Sequence, residues 1–331
     1  MKALVLTEKE KITLNEIAKP EISPEEVLVK VSYCGICGTD VHIFHGEPGS
    51  AEVTPPIILG HEFSGEIIEV GSEVDNLAIG DHVAVDPNIY CGKCRYCREG
   101  RVQLCENLSA VGVTRNGGME EFCNVPAAAC LKIAHSLSLA SAAMVEPLSC
   151  VLHGFNQIRP IKATTKTLIV GGGFIGSLFL QALKYKGATQ VDICELNSAK
   201  HPLLKELGAN QTYTDLIAIK ESYDLVIECA GKKVTSEKAV TLAGKGGEIL
   251  LFGVPSPDTI IELPAFDIFS KELTITGSFI NPFTLNEAVS LLESGDIKVD
   301  ALLSHEVSLA EVPELLANFP RLGITKAIIK L

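Results

Sequence analysis

Residues Leu168–Gly176 read LIVGGGFIG, and this short run constrains the fold of the 331-residue chain more than any other. An apolar strand, Thr167–Val170, runs into Gly171-x-Gly173-x-x-Gly176. Beyond it Ile175, Leu178, Phe179, Ala182 and Leu183 recur at helical spacing. Strand, tight turn and helix in succession predict a unit whose glycines let a pyrophosphate approach the helix N-terminus. Gly171, Gly173, Phe174, Ile175 and Gly176 are the candidate cofactor contacts. The alternation continues: Gly187 closes the helix and Gln190–Glu195 is the next strand. A helix at about Ala199–Leu207 ends at Gly208, and Asp224–Glu228, Glu248–Phe252 and Leu273–Thr276 are further apolar strands. Such a pattern predicts parallel strands with crossover helices. The first half differs. Val27–Val31, Ile67–Val70 and His82–Val85 are short strands separated by Gly, Pro and Asp turns, so an α/β chain of two domains is expected.

Glu195 lies 19 residues after Gly176, at the end of the second strand. A carboxylate there can accept hydrogen bonds from both hydroxyls of an adenosine ribose and repels a 2′-phosphate, which predicts NAD rather than NADP. Lys200, five residues on, either touches that ribose or its phosphate or is an ordinary surface lysine.

The chain has 11 cysteines, and four follow Cys91-x₂-Cys94-x₂-Cys97-x₇-Cys105. Four thiolates at this spacing close a tetrahedron around zinc and leave no open position, so the site is structural. An iron–sulfur run would place three residues before its last cysteine and a proline after it; here seven intervene and Glu106 follows. A second set is dispersed: Cys37-Gly38-Thr39-Asp40-Val41-His42, then Gly60-His61-Glu62, then Val145-Glu146-Pro147. Cys, His and Glu all ligate zinc, and a mixed set suits a catalytic ion. Spacing alone does not join them, since His61 also reads as a core histidine and Glu62 as a solvated carboxylate. Cys123, Cys130, Cys150, Cys194 and Cys229 stand in apolar surroundings and read as small buried hydrophobes.

Hydrophobic residues make up 47% and charged residues 21%, with a net charge of −13 and no basic stretch. Nucleic-acid and membrane-surface partners are therefore not expected. The uncharged run Thr167–Leu183 approaches the length of a bilayer span, but its clustered glycines suit a strand, turn and helix better. The N-terminus lacks the apolar stretch of a signal peptide, so a cytoplasmic location is expected.

The segments EVLVKVSYCGICGTDVHIFHG, ILGHEFSGEIIEVG, the four-cysteine run and VGGGFIG, in that order, resemble the zinc-containing medium-chain alcohol dehydrogenase superfamily. The resemblance covers nearly the whole chain. It implies a GroES-like β-rich catalytic domain, residues 1–152 and 285–331, with a Rossmann doubly wound domain, residues 153–284, inserted. It implies two zincs per chain, a nicotinamide cofactor and a homodimer or homotetramer. Cys37 and His61 match the catalytic-zinc ligands. The third ligand resembles the polyol branch, with Glu62 or Glu146 in that role. Cys34 matches no ligand position and is read as structural. The resemblance further assigns Thr39 to the substrate hydroxyl, His42 to a proton relay through the cofactor ribose, and Asp40 to holding His61.

The expected reaction is hydride transfer from a secondary hydroxyl of a polyol, sugar alcohol or polyol phosphate to NAD. An L-threonine 3-dehydrogenase-like enzyme is the alternative, although Leu148-Ser149 leans to polyols. Ile280 stands where sorbitol dehydrogenases carry an arginine, which argues against sorbitol. Arg115 either meets a polar substrate or is a surface residue. A non-catalytic nucleotide-binding relative would have lost ligands or relay residues that this chain retains.

Overall fold

A computed structural model describes residues 1–319 and 323–331. Residues 320–322, within the segment 285–331 assigned above to the first domain, lie outside the described residues. The chain divides into two units, Met1–Ser149 with Ile280–Leu331, and Cys150–Phe279. The first division runs through the helix Val145–Phe155, a few residues before the sequence-based limit.

The first unit is built on one long strand, Glu26–Ile36, which pairs antiparallel with Glu62–Val70, with Phe122–Pro126 and with Ala327–Lys330. Cys130–Lys132, His82–Val85 and His305–Val307 complete a seven-stranded sheet. Val27, Leu28, Val29 and Val31 are buried while Lys30 is exposed. Each such side chain stabilises by about 1.5–3 kcal/mol when buried. A one-residue slip would exchange them for Lys30, so the apolar pattern sets the register. Both principal strands are longer than their apolar cores predict. The stretch 62–66, Glu-Phe-Ser-Gly-Glu, carries little strand propensity apart from Phe63 and is held by its pairing with residues 30–35.

The second unit carries an all-parallel sheet in the order Thr212–Tyr213, Gln190–Cys194, Lys166–Val170, Tyr223–Glu228, Ala243–Leu251, Thr274–Gly277. Buried on both faces, its strands read as apolar runs: Leu168, Ile169, Val226 and Ile227 have no exposure. The strand order reverses at Lys166–Val170, which opens a crevice at the carboxyl ends of the strands. The α/β class and the doubly wound sheet expected from the alternation are present. One local expectation differs. Ala199–Leu207 is a 3-10 turn, Ser198–Lys200, followed by a short helix, His201–Glu206, because Pro202 suits only a first helical turn. Among the described residues no helix is long and apolar enough to cross a membrane.

Candidate metal centres and cofactor site

Sheet register assembles the first centre. Gly35 lies opposite Glu62 on one side and Ile328 on the other. The residues just past these pairs therefore meet at one end of the sheet: Cys37, His61 and Lys326. Ligand atoms of Cys37, His61 and Glu62 all lie within 4.8 Å of one another. Gly35 is required there, since a Cβ would come within 2.2 Å of Glu62 Oε2. The helix Gly38–Phe44 starts at Cys37, and Asp40 Oδ2 accepts a hydrogen bond from the Cys37 amide at 2.8 Å. Asp40 Oδ1 lies 3.5 Å from His61 Nδ1, so the Asp40 expected to hold His61 is beside it. That oxygen and that nitrogen, both buried, make no hydrogen bond. Burial works against a charged His61, but the Asp40 carboxylate and the Cys37 sulfur outweigh it and raise the imidazole well above the usual histidine range.

Lys326 was missed in the sequence, and nothing in LGITKAIIKL marks it. It pairs with Glu62 Oε2, and both side chains are deeply buried. Burial pulls its ammonium down; Glu62, Cys37 and Asp40 outweigh that and hold it above the usual lysine range. Cys37, His61 and Glu62 offer a sulfur, a nitrogen and an oxygen, a donor set that fits a divalent cation. Glu146, buried near the start of Val145–Phe155, is outside the 4.8 Å set. The Thr39 hydroxyl lies 3.6 Å from Cys37 Sγ. His42, one helical turn on and partly exposed, has Nδ1 3.4 Å from Glu47 Oε2. Cys34 is fully buried in the core. Arg115 is bound to Glu26, which also accepts from Asn124 at 3.2 Å.

The second centre is local. Cys91, Cys94, Cys97 and Cys105 offer sulfurs within 4.8 Å of one another. Backbone amides point at them: Cys91 N donates to Cys105 Sγ at 3.3 Å, Asn107 N to Cys105 Sγ at 3.4 Å, and Cys97 N to Cys94 Sγ at 3.5 Å. Amides of Lys93 and Cys94 pull the Cys91 thiol down to about 6, whereas burial and the neighbouring thiols push Cys97 up to about 12. Four sulfurs this close do not ionise together without a cation, and tetrahedral zinc fits them.

In the second unit Gly171 turns the chain at φ +102 and Gly173 caps the helix Phe174–Tyr185. A Cβ at Gly173 would meet nothing within 4 Å, which leaves the helix N-terminus open to a pyrophosphate. Phe174, Ile175 and Gly176 form the first turn of that helix. Glu195 lies against this loop: Oε2 accepts from Gly172 N at 2.9 Å and Oε1 from Asn197 N at 2.8 Å. Each oxygen keeps a second lone pair for a ribose hydroxyl. His201 Nε2 lies 2.8 Å from the Glu195 carbonyl oxygen. Lys200, partly buried, ends the 3-10 turn beyond Glu195.

Comparison with known proteins agrees with this geometry. Residues 23–135 match the alcohol dehydrogenase GroES-like domain and residues 175–294 the zinc-binding dehydrogenase domain. The chain is 34% identical to D-arabinitol dehydrogenase 1 of Uromyces fabae, covering 94% of this chain and 91% of that protein. It is 31% identical to L-threonine 3-dehydrogenase of Alteromonas mediterranea, over 93% of each. A solved zinc-binding dehydrogenase from Sinorhizobium meliloti 1021, bound to NADP, is 39% identical with a TM-score of 0.95, covering 100% of this chain and 99% of that one. With matches that span both units, the chain belongs to the zinc-containing medium-chain alcohol dehydrogenase superfamily.

Proposed function

We propose that the protein is an NAD-dependent dehydrogenase that oxidises a secondary hydroxyl of a polyol, sugar alcohol or polyol phosphate. The observation that carries this is the Cys37–His61–Glu62 cluster, with Thr39 and His42 on the adjoining helix. Bound there, zinc supplies Lewis acidity to the substrate hydroxyl, and the nicotinamide supplies the hydride acceptor. Thr39 holds the hydroxyl proton and His42 passes it towards solvent. Glu62 and Glu146 would be the residues to hold the remaining contact to the metal, and Lys326 pairs with Glu62. Glu195 accepts from the ribose hydroxyls and opposes a 2′-phosphate, and Lys200 assists at the same ribose or phosphate. The similarity to D-arabinitol dehydrogenase 1 supports the polyol class.

The test is a panel of polyols, polyol phosphates and L-threonine, each with NAD and with NADP, followed by reduced-nicotinamide absorbance and a metal assay. Turnover of a polyol with NAD and two zincs per chain is expected, and Glu195→Ala relaxes the preference for NAD. The relative that binds NADP makes cofactor choice a direct test: equal efficiency with both cofactors removes that part of the reading. Turnover of L-threonine alone selects the second reading, which the threonine dehydrogenase relative favours. The enzyme is expected in the cytoplasm as a homodimer or homotetramer. Phe266 and Phe269, on the helix Ala265–Lys271, are 75% and 78% exposed, a face suited to a second copy.

A further inference from the structure

Asn281 has no exposure, yet its carboxamide is used at both ends. Its Oδ1 accepts from Asn88 Nδ2 at 2.7 Å and its Nδ2 donates to Ser149 Oγ at 2.7 Å. The Ser149 hydroxyl in turn donates to the Glu146 carbonyl oxygen at 2.6 Å. Every donor in this chain points the same way. Ser149 spends its one proton on Glu146, so its lone pair must accept from Asn281, and the amide orientation follows. Thr284 adds a hydrogen bond to the Ser149 carbonyl at 2.7 Å. A buried network of this kind favours a single arrangement, because reversing the Asn281 amide would leave its bonds to Asn88 and Ser149 unmade.

Two further observations show that the arrangement is imposed. Ile280 has φ +46 and Phe283 φ +63, left-handed backbone that a β-branched or bulky side chain avoids. Both flank Asn281, and such strain persists where the surroundings over-determine it. At the far end, Asn88 is anchored on Asp86 Oδ1 through its backbone amide at 3.0 Å, three residues before Cys91. The chain of bonds thus runs from the root of the four-cysteine lobe to the first turn of the helix bearing Glu146.

We propose that Asn281 is a positioning residue. Acting through Ser149, it fixes the first turn of the Glu146 helix, and with it the reach of the Glu146 carboxylate towards the metal at Cys37 and His61. The inference rests on the metal role proposed above for Glu146. The test uses cobalt-substituted enzyme, whose visible band reports the coordination of the catalytic ion, alongside kcat, KM, NADH affinity and melting temperature. Asn281→Leu keeps volume and removes both bonds; Ser149→Ala removes one oxygen and keeps the experiment decisive if the larger change does not fold. Both variants are expected to shift the cobalt band and lower kcat, about tenfold or more for Asn281→Leu, with NADH affinity unchanged. The double variant is expected to be no worse than Asn281→Leu alone, because both break one chain. Glu146→Gln is the control. If it shifts the band while the Ser149 and Asn281 variants only lower the melting temperature, the positioning role is overturned and the metal role stands. If none of the three moves the band, the metal role of Glu146 falls as well.

Discussion

The two metal centres gather their donor atoms by opposite means. The four-cysteine lobe draws every ligand from residues 91–105, on tight turns whose backbone amides aim at sulfur. The Cys37 centre draws its groups from three strands distant in sequence and offsets their charge with a buried lysine. The lobe has no side-chain cation among its ligands, so a metal ion must neutralise it. The Cys37 centre carries its own counter-charge and keeps its shape through Asp40, Gly35 and Lys326.

Four measurements can break or sharpen this contrast. The largest effect is expected from His61→Ala. Losing several kcal/mol of Lewis-acid stabilisation lowers turnover on the order of a thousandfold, while the four-cysteine zinc and the melting temperature stay near wild type. A collapse of the fold in that variant would erase the distinction between the centres. Cys94→Ser comes next, with about 5 kcal/mol of stability lost and a melting temperature lower by roughly 10 °C or more. Folded molecules of that variant should keep their turnover per catalytic zinc.

Glu120 offers a third way to hold a buried acidic group. It is 1% exposed and its Oε1 has no hydrogen-bond partner, and burial raises its pKa to about 8, with the Cys123 thiol opposing the shift. Here the charge is removed by a proton. A folded pKa above the unfolded value means that stability falls as pH rises through the window from about 4.5 to about 8, then levels off. The full span is on the order of 4 kcal/mol. Glu120→Gln should therefore flatten melting temperature against pH between 5 and 9; an unchanged slope would show that Glu120 is not its source. The smallest effect belongs to Lys326→Met. Leaving Glu62 buried without its partner costs about 3 kcal/mol in chelated protein and less in metal-loaded protein. Differential scanning with and without chelator reads that gap, and equal losses in both forms would mean that metal and lysine do not share Glu62.

These comparisons also mark what a sequence makes legible. The four-cysteine lobe could be read directly because its ligands are neighbours, and the glycine loop because strand, turn and helix are contiguous. Cys37, His61 and Glu62 were candidates by residue type and by resemblance, yet only the pairing of Glu26–Ile36 with Glu62–Val70 brings them together. Lys326 had no sequence mark at all, since its role comes from a third strand in register with the first two. Arg115, a candidate for substrate, is engaged by Glu26, and that partner is invisible without the fold. Asn281 carries no mark in the sequence, because the value of a buried amide lies entirely in what surrounds it. Local patterns were readable; charge compensation across a sheet was not.

The strand that places Lys326 has a consequence for how the molecule is made. Ala327–Lys330 sits inside the seven-stranded sheet, between Glu26–Ile36 and His305–Val307. About 290 residues separate Cys37 from Lys326, which at ~5–20 residues per second is roughly 15–60 s of translation. Through that interval the nascent strand Glu26–Ile36 has one open edge beside Cys34 and Ile36, the kind of edge that pairs with other chains. The segment 150–279 emerges in the meantime and has its own core. The Cys37 centre is thus completed only after Lys326 and the strand that follows it have been made, and until then the edge at residues 33–36 is open to pairing with other chains.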